Sequence, residues 1–273
     1  MTAGKTSDGD TSRRSRGVAG GLIPDWLDAW FTRSVAPIIR RLILARVNPN
    51  AITVAAFVLT AAGGACIAGG WLLTAVALIV VGGILDFSDG KVAALTGRVT
   101  VFGGILDSVL DRYADAAVYL GLAVYFARGG HAFTALAALI ALVGSMTTSY
   151  LVAIGRAHGF AFRSGLLRRQ DRVTLIAGAL ALSTLHGVLA AWVSSGAAAL
   201  GVVMPRIATL PVAPVVWLLA LLTNVTALQR LGALRRLANR GPDALDAGES
   251  LRQRQLGMLR ATIGRVTGEG RPS

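Results

Sequence analysis

Between residues 51 and 229 the chain runs through six long apolar stretches, near 51–69, 71–95, 101–127, 132–156, 172–194 and 207–229. About 20 residues rising 1.5 Å each are enough to cross the hydrocarbon core of a bilayer. Inside lipid each backbone N–H and C=O must be satisfied within its own segment, so runs of this length are expected to be helices. The expected fold is therefore all-α, a polytopic membrane protein with six transmembrane helices. With 54% hydrophobic and only 15% charged residues among 273, composition excludes an ordinary soluble domain.

The ends read differently. Residues 1–21 are polar, rich in Gly, Ser, Thr and Arg, and lack the apolar core of a signal peptide, so they are expected to be a disordered cytoplasmic arm. Residues 22–46 mix Trp26, Trp30, Val35 and Ile39 with Asp25, Arg33, Arg40 and Arg41, the pattern of an amphipathic helix lying on a membrane surface. Asn48-Pro49-Asn50 breaks that helix and opens the next. The domain proper is expected over 22–236, with a basic cytoplasmic tail over 237–273.

The net charge of +13 does not imply nucleic acid as a partner, because the Lys and Arg residues punctuate apolar runs rather than line a polar face. Their distribution sets topology. Arg40, Arg41, Arg46, Lys91, Arg98, Arg156, Arg168, Arg169, Arg172 and Arg230 fall on one side of the six spans, against Arg128 and Arg206 on the other. Retention of positive charge in the cytoplasm predicts a multi-pass protein of the cell membrane with both termini inside. The single cysteine, Cys66, supports neither a disulfide framework nor a zinc site.

The segment 86–115 carries acids where acids are expensive. Asp86 and Asp89 stand three apart at the end of the second span, and Asp107, Asp111 and Asp115 recur every four along the third. Spacings of three and four place each set on one helix face. A carboxylate near the bilayer centre costs about 2.5–3.5 kcal/mol on insertion scales, and neighbouring like charges add to it. Lys91 and Arg98 are too few to offset the set, whereas a divalent cation, Mg²⁺ or Mn²⁺, suits hard carboxylate oxygens and leaves positions for phosphate. Helix capping accounts for Asp89 alone but not for both faces, and an ion or proton pathway is the rival reading. Gly90 and Gly103, beside these acids, allow backbone to approach a bulky anion.

The residues Asp86, Asp89, Gly90, Ala93, Gly103, Asp107 and Asp111 match, at each spacing, the motif D-x2-D-G-x2-A-R-x8-G-x3-D-x3-D. In this the chain resembles the CDP-alcohol phosphotransferases, over roughly residues 25–236, and most closely their phosphatidylinositol phosphate synthase branch. The resemblance implies transfer of a phosphoalcohol group from a CDP-alcohol such as CDP-diacylglycerol to an acceptor alcohol, with release of CMP. It implies that Asp86, Asp89, Asp107 and Asp111 hold one or two metals, with Asp111 also the base for the acceptor hydroxyl. Asn50, Thr53, Gly90, Thr100 and Gly103 look like donor-binding positions. Ala94 stands where the family carries an Arg, and Arg98, four residues on, is the nearest substitute. Arg169, Arg172 and Arg230 fit the arginines of an acceptor-phosphate pocket, which points to inositol phosphate, with glycerol phosphate or another small phosphorylated or polyol acceptor as the alternative. Two further basic positions of that pocket are Val152 and Ile154 here. The family likeness also implies a homodimer. A relative that has lost donor binding at Ala94 remains a competing expectation beside the transporter.

Overall fold

The computed structural model describes residues 25–160, 169–198 and 212–239. The expected arm over 1–21, residues 240–273 of the tail, and Arg168 and Arg206 lie outside the described residues. Within them the chain forms seven helices: α1 (Asp25–Leu44), α2 (Pro49–Gly69), α3 (Leu72–Leu95), α4 (Val101–Arg128), α5 (Ala132–Ala157), α6 (Arg169–Ala198) and α7 (Val212–Ala238).

Four of these, α2, α3, α5 and α7, are long and apolar enough to cross a membrane. Helix α4 is as long, but Asp107, Asp111, Arg112 and Asp115 interrupt its apolar character. Helices α2 to α5 follow the expected stretches closely. Helices α6 and α7 run past theirs, α6 at both ends and α7 on to Ala238. An apolar run marks where lipid stops, whereas the helix continues until its backbone is capped or turned.

Those turns have local causes. Asn48 caps α2 by accepting from the Asn50 N–H at 3.0 Å, with Pro49 in the first turn, where its missing N–H costs nothing. Gly70 (φ 82°) closes α2 and Gly97 (φ 67°) follows α3, both in the left-handed region that favours glycine. Thr100 caps α4 by accepting from the Gly103 N–H at 3.0 Å.

Helix α2 packs against both α3 and α4 and so lies between the two acid-bearing helices. Lipid supplies no hydrophobic drive for helix association, so close fit has to. A Cβ built on Gly64 would run into the Ala117 and Val118 backbone, and one on Gly121 into the backbone of Gly64. Gly82 meets Thr60 and the Ala56 carbonyl in the same way. On the other side α5 packs on α4 and α7, with Gly144 against Thr223 and Asn224. The main core gathers Tyr119, Leu122 and Phe126 of α4 with Ala138, Leu180 and Leu219 of α5, α6 and α7. A second cluster joins Val35 and Ile39 of α1 to Ile52 and Val92, leaving Arg33, Arg40 and Arg41 exposed on α1.

Candidate active site

Because α2 stands between α3 and α4, the acids of these two helices meet at one end of that wedge. Asp86, Asp107 and Asp111 each offer a carboxylate oxygen, and the three atoms lie within 4.8 Å of one another. Two carboxylates at that separation repel by roughly 3–4 kcal/mol at an effective dielectric near 20, so the trio requires compensating positive charge. Part of it comes from α6. Arg169 places Nη1 2.9 Å from Asp86 Oδ2 and 2.6 Å from Asp111 Oδ1, and Nε 3.3 Å from Asp115 Oδ1. Arg172, one turn along, puts Nη2 3.1 Å from Asp115 Oδ2. Lys91 Nζ sits apart, 4.4 Å above the Phe87 ring, while Arg112 donates to the Ser108 carbonyl and acts on Asp107 through its charge alone.

The structure separates Asp89 from the trio. Its Oδ2 accepts from Thr53 Oγ1 at 2.6 Å and its Oδ1 from the Gly90 N–H, so it faces α2. Residues three apart on a helix point about 60° away from each other, enough to send Asp86 and Asp89 to different neighbours. Among the expected donor positions, Asn50, Thr100 and Gly103 come together: a Cβ on Gly103 would stand 3.0 Å from both Asn50 Oδ1 and Thr100 Oγ1. Space for a Cβ at Gly90 is open. Arg98 is exposed in the turn between α3 and α4. Arg230 donates from Nη1 to the Thr148 carbonyl at 2.9 Å, which places it on the α5 side.

Asp115 extends the acid stripe one turn deeper and is 8% exposed. Besides the two arginines it accepts from Ser145 Oγ of α5 at 3.0 Å, so it binds α4, α5 and α6 together. Its four-residue spacing from Asp111 was visible in the sequence; its partners, 30 to 57 residues away, were not. Beside it a cavity of about 500 Å³ opens between α3, α4 and α6. One end carries Asp86, Asp115, Arg169 and Arg172, and the rest is walled by apolar side chains such as Val76, Ile79, Val118 and Ile176.

Three clustered carboxylates are a hard oxygen donor set of the kind that binds a divalent cation while leaving positions for phosphate oxygens. That donor set, a guanidinium pair and an apolar slot together suit a lipid-linked phosphate.

Comparison with known proteins agrees. The profile of the CDP-alcohol phosphatidyltransferase family matches residues 46–204. The archaetidylinositol phosphate synthase of Methanothermobacter thermautotrophicus is 36% identical over 56% of this chain and 75% of its own length. The phosphatidylinositol phosphate synthase of Cutibacterium acnes is 30% identical over 76% of this chain and 95% of its own. Among solved structures, Mycobacterium tuberculosis phosphatidylinositol phosphate synthase with CDP-DAG bound superposes with a TM-score of 0.60 at 27% identity, covering 73% of this chain and 92% of that one. The same enzyme in complex with manganese and citrate gives 0.58 at 26% identity, over 72% and 87%. The chain belongs to the CDP-alcohol phosphatidyltransferase family. It is accordingly a transferase that takes a phosphoalcohol group from a CDP-alcohol, in phospholipid biosynthesis.

Proposed function

We propose that this protein transfers a phosphatidyl group from CDP-diacylglycerol to a phosphorylated polyol, inositol phosphate first among candidates, at a divalent-metal site formed by Asp86, Asp107 and Asp111 with Asp89 one turn away. The observation that carries the reading is the convergence of three carboxylate oxygens within 4.8 Å beside Arg169. A cation bound there, Mg²⁺ or Mn²⁺, supplies charge neutralisation to the pyrophosphate and makes CMP a better leaving group. The manganese complex of the mycobacterial synthase supports the choice of metal, and its CDP-DAG complex the choice of donor.

Residue roles follow from position. Asn50, Thr100 and Gly103, with open space at Gly90, offer the nucleotide a polar rim, and Thr53 holds the Asp89 carboxylate. Arg98, exposed in the adjoining turn, takes the place of the arginine missing at Ala94. The cavity between α3 and α6 receives an acyl chain of the donor. Asp111 accepts the proton of the acceptor hydroxyl as its oxygen bonds to the phosphorus that carries the glycerol. The bond from that phosphorus to the bridging oxygen breaks, and CMP leaves with the electron pair. Arg169 and Arg172, facing the same cavity, and Arg230 attract the acceptor's phosphate and bring its hydroxyl beside Asp111. With Val152 and Ile154 contributing no charge, three arginines carry that task.

We further propose six spans with the site at the cytoplasmic face, α1 flat on the surface, both termini inside, and two copies of the chain in the membrane; the basic turns and the exposed arginines of α1 support that arrangement. The test is release of CMP from CDP-diacylglycerol by purified protein in lipid. Inositol phosphate, inositol, glycerol phosphate and serine are offered in turn, with and without a chelator. Release with inositol phosphate that stops on chelation is expected. Release with a different acceptor replaces the headgroup assignment, and silence with all four in folded protein refutes the phosphatidyl-transfer reading.

A further inference from the structure

Helix α1 has two opposed stripes. Val35, Ile39, Leu42 and Ile43, at i, i+4, i+7 and i+8, gather with Ile52 of α2 and Val92 of α3 in one apolar cluster. Arg33, Pro37, Arg40, Arg41 and Leu44, at i, i+4, i+7, i+8 and i+11, line the other side and are exposed. A helix that rests on a membrane ordinarily keeps its apolar face for the acyl boundary. In α1 that stripe is spent on the protein, and the stripe turned outward carries charge. From Arg33 to Asn48 the chain has four arginines and no acid, and none of the four takes part in the reaction above.

The fourth arginine is held against its own backbone preference. Helix α1 closes with the Val47 N–H on the Leu42 carbonyl at 3.2 Å and the Arg46 N–H on the Ile43 carbonyl at 3.0 Å, which puts Arg46 at φ 53°. Helices α2, α3, α4 and α5 end in the same pair of backbone bonds, with Gly70, Gly97, Gly130 and Gly159 at the corresponding place. Glycine is the ordinary choice there because a Cβ is strained in the left-handed region. Among the described residues Arg46 alone occupies that region with a side chain, and the side chain is basic and exposed. Strain retained at one helix end of five, where it adds a charge to a basic stripe, points to a use for the charge.

The place of the stripe selects its partner. Ile52 lies in the first turn of α2 and Val92 in the last turn of α3, two helices long and apolar enough to cross a membrane, so α1 sits at the level where those spans end. Lipid headgroups stand at that level. We propose that the outward face of α1 binds the headgroups of anionic phospholipids, and that charge rather than insertion of an apolar face holds them. Guanidinium groups fork onto phosphate oxygens, and each arginine near an anionic surface favours binding about fivefold. A zwitterionic headgroup presents the same phosphate beside a cation and cancels that gain. The proposal is independent of which alcohol accepts the transferred group.

The experiment uses the full chain in phosphatidylcholine nanodiscs, with Cys66→Ala and a fluorophore on Ala36→Cys, an exposed position of α1. A minor fraction of the lipid carries an acceptor dye on an acyl chain, as phosphatidylglycerol in one sample and phosphatidylcholine in the other. Energy transfer then reads which lipid gathers at α1. Phosphatidylglycerol is expected to gather more strongly, and the preference to vanish in about 1 M salt, where charges are screened within about 3 Å. Arg40→Gln with Arg41→Gln should lower the preference by up to about 25-fold, fivefold for each arginine. Arg46→Gly removes one charge while relieving the backbone, so the melting temperature should hold or rise while the preference falls by up to about fivefold. That variant serves if the double one fails to fold. Equal transfer to both lipids in the parent overturns the proposal and leaves the stripe to a soluble acidic partner. A preference that survives high salt, or that the variants leave unchanged, overturns it too.

Discussion

Replacing Asp115 by asparagine keeps the shape of the side chain and removes its charge, leaving Arg172 buried at 5% exposure with no carboxylate opposite it. Breaking a buried ion pair by removing one partner costs about 3–5 kcal/mol, because the remaining charge stays desolvated and unpaired. Ser145 Oγ still has an amide oxygen to donate to, so its bond does not add to that loss. For a chain of this size roughly 2–4 °C accompany each kcal/mol, so Asp115→Asn should lower the melting temperature by about 10 °C. Cys66 is the single cysteine and is half-buried between packed helices, so a thiol-reactive fluorophore reads unfolding directly in detergent. Arg172→Met alone also destabilises, since it leaves the acid to Arg169 and Ser145. The double variant should recover part of the loss, with a coupling of about 2 kcal/mol expected of residues in one network. An Asp115→Asn protein that melts within 2 °C of the parent, or a strictly additive double variant, refutes the claim that this pair ties α4 to α6.

Asp111→Asn should lower CMP release by about 10²–10⁴-fold while donor affinity changes little, because it removes a proton acceptor more than a nucleotide contact; near-parental turnover ends the base assignment. Arg169→Ala should raise the acceptor's KM more than tenfold in steady-state assays if its guanidinium binds phosphate, whereas an unchanged KM confines it to neutralising Asp86 and Asp111. Gly121→Ala drives a methyl group into the Gly64 backbone and should cost about 1–3 kcal/mol in thermal unfolding. Gly104→Ala on the same helix, with nothing within 4 Å of its Cβ, should be neutral or slightly stabilising.

The helices were legible because lipid imposes a length: the stretches at 51–69, 71–95, 101–127 and 132–156 became α2 to α5 with ends moved by a residue or two. The acid trio was half legible. The i, i+4 repeat correctly put Asp107 and Asp111 on one face, but the same reasoning grouped Asp86 with Asp89, which the fold sends to different neighbours, one to α6 and one to Thr53. Spacing along a helix says which residues share a face and nothing about which other helix will stand before it. The same limit explains Arg169. Its charge was conspicuous, but its role as a bridge to three aspartates depends on how α6 docks against α3, a contact between segments some 80 residues apart.

At the crossing of α2 and α4 the two backbones touch without side chains between them, through Gly64 and Gly121. That seam acts as a fixed ruler. It leaves no adjustable layer whose repacking could change the separation of Thr53 from the acids of α4. Substrate preference can therefore drift through the sleeve of side chains around the cavity while the spacing of the reacting groups stays put. Chemistry and selectivity are in this way written on different parts of one bundle, and one can vary without disturbing the other.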